Sequence, residues 1–68
     1  MKEIRIIESR ENEYYRVTIN GKDAYTPFKF QNFEEREAMR IKAKACALDE
    51  IIRCHFYDEK YTIHYDSY

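Results

Sequence analysis

Four side chains carry the donor atoms that metal sites and nucleophiles most often use: Cys46, Cys54, His55 and His64. Their spacing argues against a zinc site. Structural zinc is usually held by close pairs such as C-x2-C, which set two ligands in one knuckle. Cys46 and Cys54 fall eight residues apart on a segment that reads as helix, so they diverge by about 80° and stand about 12 Å apart along its axis. That separation also excludes a disulfide between them, and the neighbours Cys54 and His55 point apart. The expectation is two reduced thiols, no metal, and Cys46 as a small half-buried hydrophobe.

Nucleophilic catalysis needs Cys or Ser beside His and an orienting carboxylate. Cys54, His64 and Asp66 supply the residue types, but no Gly-rich turn or oxyanion-hole candidate accompanies them. A chain of 68 residues also leaves little volume for a substrate cleft. The adjacent carboxylates Glu34/Glu35 and Asp58/Glu59 suit a helix cap and a turn. The sequence therefore points to no enzyme and no cofactor, with His55 and His64 as ordinary surface residues.

Binding chemistry has better candidates. Arg36, Arg40 and Lys44 recur every four residues and form a basic ridge expected nearly opposite the core stripe of a helix, with Ala43, Ala47 and Ile51 along the same exposed side. Arg anchors among small residues suit a docking face for an acidic or mixed partner. A second surface is the outer face of a sheet, where Arg5, Tyr14, Arg16, Thr18, Tyr25 and Lys29 are expected to point outward. Cations interleaved with aromatics are what single-stranded nucleic-acid platforms use.

The elements that must position these residues follow from periodicity. Lys2 to Glu8 reads as a strand with Ile4 and Ile6 inward. Ser9-Arg10-Glu11-Asn12 is a polar turn. Tyr15, Val17 and Ile19 alternate with Tyr14, Arg16 and Thr18, the period-2 mark of a second strand with one buried face. Asn20-Gly21 tolerates the positive φ angles of a tight hairpin. Ala24 to Phe30 reads as a third strand with Phe28 and Phe30 inward, an edge strand or one broken at Pro27. Asn32 and Glu35 fit an N-cap and a reciprocal Glu, opening a helix from Phe33 to about Arg53. Ala38, Ile41, Ala45, Leu48 and Ile52 share one stripe of that helix, expected to face the core. Tyr61 to Tyr65 is a final strand after the turn Asp58-Glu59-Lys60. The fold class is thus α+β: a single domain over 1–68, order β-β-β-α-β, with one long helix packed on one face of an antiparallel three- to four-stranded sheet.

Composition narrows the function classes. The chain is 44% hydrophobic and 16% aromatic, with seven Tyr, four Phe and no Trp, which excludes disorder. Twelve basic and thirteen acidic residues give a net charge of −1, neither the basic excess of a duplex-DNA binder nor the acidic excess of a DNA mimic. No apolar run approaches the roughly 20 residues of a membrane span, and Met1 to Ile7 lacks a signal-peptide core. A cytoplasmic protein is expected, without membrane partners. So small a core is thin, and a homodimer using an edge strand or the apolar part of the helix would enlarge it.

Residues 14–48, YYRVTINGKDAYTPFKFQNFEEREAMRIKAKACAL, resemble the arm-type DNA-binding domain of tyrosine recombinases and the related AP2-like domains. Tyr15, Val17, Gly21, Lys22, Phe30, Glu35 and Ala38 are the matching positions. In that family the sheet enters the DNA major groove, which would implicate Arg5, Arg16 and Lys29. The size, the Asn20-Gly21 hairpin, the helix and the Tyr-rich tail resemble another class, the very small phage-encoded inhibitors that include anti-CRISPR and host-takeover proteins. That resemblance implies non-catalytic binding to a larger protein or complex, with Arg36, Arg40, Lys44, Tyr14, Arg16 and Tyr25 as the contact residues. Nucleic-acid binding through the sheet is the alternative.

Overall fold

The alternation of Lys2 to Ile19 closes into a hairpin. In the computed structural model, which describes residues 1–68, β1 (Lys2–Ser9) and β2 (Tyr14–Ile19) pair antiparallel, with Ile4 opposite Ile19 and Ile6 opposite Val17. Ile4, Ile6, Tyr15 and Val17 are buried on one face. The Asn20-Gly21 turn has φ of 54° and 83°, the positive pair that lets two residues reverse the chain. The Asn20 side-chain oxygen also accepts the Glu3 backbone N–H at 2.9 Å.

The expected third strand is broken, as Pro27 suggested. Two short strands, β3 (Lys22–Asp23) and β4 (Phe28–Lys29), both pair with β2. Pro27 has no N–H to give a ladder, and Ala24 to Pro27 bridge the gap without strand structure.

The helix α1 spans Phe33–Phe56, three residues beyond the expected end. Its cap forms as the sequence indicates: Asn32 accepts the Glu35 N–H at 2.8 Å, and the Glu35 carboxylate accepts the Gln31 N–H at 2.9 Å. Asp58 terminates it with φ of 54°. There the Glu59 N–H reaches back to the Cys54 carbonyl at 2.8 Å, the back-bonded ending more often built on Gly.

The last strand, β5 (Tyr61–Ser67), lies parallel to β1, with Ile4 beside Ile63 and Ile6 beside Tyr65. The sheet is therefore mixed, not wholly antiparallel, in the order β3-β2-β1-β5. The physical reason is the helix. Its 24 residues give about 36 Å of rise, enough to return the chain to the starting end of β1 and set β5 running the same way.

The helix is rotated about half a turn from the expected orientation. Ala43, Ala47, Glu50 and Cys54 are its buried residues, whereas Ala38, Ile41, Ala45, Leu48 and Ile52 are all exposed. The sheet explains this. It already contributes Ile4, Ile6, Tyr15, Val17 and Phe30 to the core, so the close-packed space beneath the helix has room for alanine and little more. Replacing Ala47 by Leu should cost about 1–3 kcal/mol through overpacking. The polar change Ile41→Gln, measured by denaturation in dilute protein, should move stability by under about 0.5 kcal/mol. The reverse ranking would restore the stripe to the core.

Candidate protein-interaction face

One carboxylate organises the inner face of the sheet. Glu8, at the end of β1, is only 3% exposed. Its Oε1 accepts the hydroxyls of Tyr15 at 2.6 Å and Tyr65 at 3.3 Å. Its Oε2 accepts Arg10 Nε at 2.8 Å, Arg36 Nη2 at 3.0 Å and Ser67 Oγ at 3.4 Å. Burial by itself would raise the Glu8 pKa. The Tyr15 hydroxyl, Arg10 and Arg36 outweigh that and hold it at about 2. Tyr15 moves the other way: burial, with the carboxylate accepting its proton, pushes its phenol up.

This arrangement decides where the expected site residues fall. Arg36 is half-buried and committed to Glu8, its guanidinium held charged by Tyr15 and Glu8. Arg40 pairs with Glu37 on its own helix. Only Lys44 of the basic ridge remains exposed, its ammonium 5.8 Å from the centre of the Tyr65 ring. Tyr25 does not point outward. It packs against the core, and its hydroxyl donates to Glu50 at 3.3 Å.

The outer face of the sheet carries Arg5, Tyr14, Arg16 and Lys29, but its arginines are matched within the chain. Arg5 binds Asp66 at 2.9 Å and Glu3 at 3.3 Å, and Arg16 binds Asp23 at 2.8 Å. Such pairs cancel the field that would draw a phosphate backbone. Lys29 stands beside Tyr14 across the β2–β4 ladder. The side chains weighed for metal or nucleophilic chemistry stay apart. Cys54 is buried on the inner side of the helix and Asp66 is engaged by Arg5, while His55 lies 3.3 Å from the Tyr61 hydroxyl. No three His, Cys, Asp or Glu side chains converge as ligands, and no helix is long and apolar enough to cross a membrane.

What the sequence did not reveal is an open apolar groove. The helix packs over β1, β2 and β4 and leaves the helix-facing side of β5 open beyond Tyr61, which packs against the core. Ile63 and Tyr65 are 49% and 47% exposed. With Ile6, Ala47, Leu48 and Ile51 they line a groove of about 500 Å³. The alternation of Tyr61, Ile63 and Tyr65 was the available signal, but alternation cannot say that the facing helix lies to one side. β5 is also the last strand of the sheet, so the backbone groups on its far edge are free.

Fold and site together define a small sheet-plus-helix domain with an open apolar groove beside a free strand edge. The chain matches no protein-family model, no curated protein and no solved structure.

The Glu8 cluster yields a pH signature. An ordinary carboxyl value of 4.5 lowered to about 2 on folding corresponds to about 3 kcal/mol of stability. That stability is complete above pH 4.5 and lost as pH falls toward 2. Glu8→Gln should therefore lower neutral-pH stability by about that amount and flatten the acid limb of a circular-dichroism titration. Wild type and variant should converge near pH 2. An unchanged acid limb would show that Glu8 is not the titrating group.

Proposed function

We propose that the protein is a non-catalytic protein-binding module that takes an extended segment of a larger protein along the free edge of β5. The observation that carries this reading is the coincidence of that edge with the groove lined by Ile63, Tyr65, Leu48 and Ile51. An added strand satisfies the unpaired N–H and C=O groups of the edge, and its alternate side chains enter the apolar groove. Exposed apolar surface beside an unprotected edge is something folded domains otherwise suppress.

The biological setting we assign is that of a small phage or mobile-element inhibitor that occludes a site on a larger host protein, such as a defence or nucleic-acid-processing complex. Small size, the sheet-plus-helix fold and the commitment of Arg36 to Glu8 support a contact surface built on β5 and the adjoining helix side, with Lys44 at its rim. Arg40, Tyr14 and Arg16 then serve the fold and its solvation, since each arginine is matched inside the chain.

Selection of a random-peptide display library on the immobilised protein tests the reading. Peptides with apolar residues at alternating positions should be enriched, and Ile63→Asp should weaken the selected peptides at least about tenfold. Amide shifts on binding should centre on Tyr61 to Ser67. Enrichment indifferent to Ile63→Asp would move the site elsewhere. Enrichment of host nucleic acid in place of protein, lost on nuclease treatment of a lysate pull-down, would transfer the function to the outer sheet face.

A further inference from the structure

The stripe that the fold leaves outside is not random in spacing. Ala38, Ile41, Ala45, Leu48 and Ile52 follow one another at intervals of three, four, three and four, the a/d heptad pattern of a helix that pairs with another helix. All five are exposed, and Ile41, Leu48 and Ile52 are 64%, 54% and 56% accessible. The stripe spans about 21 Å of helix on the side turned away from the sheet. Nothing in the chain covers it.

The charges beside the stripe say what would. In this heptad Lys42 and Asp49 hold the e positions, one heptad apart. Neither forms an ion pair within the chain, and both are exposed; the Lys42 ammonium lies 5.5 Å from the centre of the Phe28 ring, a contact that leaves its charge without a carboxylate. On the opposite flank Glu37 is held by Arg40, and Lys44 lies over Tyr65.

We propose that this stripe is a self-association face, on which α1 pairs antiparallel with α1 of a second copy of the chain. A twofold axis across the middle of the stripe sets Lys42 of each copy against Asp49 of the other, so one contact is made twice. The same operation places Ala45 opposite Leu48 and Ile41 opposite Ile52, so no layer stacks alanine on alanine. Parallel pairing would stack Ala38 on Ala38 and Ala45 on Ala45, and would turn Lys42 toward a Glu37 that Arg40 already holds. Antiparallel helix dipoles also attract where parallel ones repel. Leu48 is the one stripe residue that also lines the groove; Ile63 and the free edge of β5 lie outside the pairing, so Ile63→Asp and Ile52→Asp report on the two readings separately.

Sedimentation velocity of the full chain over a concentration series at low salt is the test, because salt screens exposed pairs. A monomer–dimer equilibrium is expected. Lys42→Glu and Asp49→Lys should each weaken it about tenfold, since each turns two attractive contacts into two repulsive ones. The double variant K42E/D49K should recover affinity near that of wild type. Ile52→Asp should abolish the dimer while circular dichroism stays unchanged, because that side chain lies outside the core. A wild-type chain that stays monomeric throughout, or a dimer indifferent to both reversals, overturns the proposal. So does a double variant weaker than either single one, the result parallel pairing would give. A monomer that still selects peptides through Ile63 would remove the dimer and leave the groove reading standing.

Discussion

A carboxylate cannot be buried without cost. Left unpaired in a low-dielectric interior, it protonates or prevents folding. Glu8 is buried because five donors converge on it, from β2, the β1–β2 turn, α1 and both Tyr65 and Ser67 of β5. One residue at the end of the central strand thus ties together three strands and the helix. A domain of this size has only a few kcal/mol to lose, which makes that convergence a condition of the fold and not an ornament of it.

The same interaction fixes the rotation of the helix. Arg36 stands near the start of α1, and its reach to Glu8 places that side of the first turns against the sheet. Counting on from Arg36 in helical steps brings Ala43, Ala47, Glu50 and Cys54 inward. Glu50 repeats the device at the other end, bound by Lys2 at 3.5 Å and reached by the Tyr25 hydroxyl. Two polar anchors, one near each end, bracket a run of small residues. The bulky aliphatics of the helix are left on the far side by geometry. Their exposure gives the domain surface that its own fold does not consume.

A second consequence concerns β5. The helix centres on the β1–β2–β4 side, where Phe28, Phe30 and Tyr25 extend the core. It therefore roofs only part of a sheet four strands wide. The uncovered part is a strand with one free edge and two half-exposed apolar side chains facing the helix. Binding surface arises here as the remainder of a packing problem in which one helix is too narrow for the sheet beneath it.

The local elements were legible from the residues alone. Period-2 alternation gave β1 and β2, Asn20-Gly21 gave the hairpin, Pro27 gave the break, and Asn32 with Glu35 gave the helix start. Each rests on interactions spanning a few neighbours, which sequence encodes directly. The direction of β5, the rotation of α1 and the inward engagement of Arg36 and Tyr25 were decided by tertiary structure. Hydropathy placed Ile41, Leu48 and Ile52 inside because it scores each residue for leaving water. It has no means of knowing that Tyr15 and Phe30 already fill the space, or that a glutamate 28 positions before Arg36 waits for its charge. What a helix face meets is a property of the assembled sheet, and that is where the surface of this protein was determined.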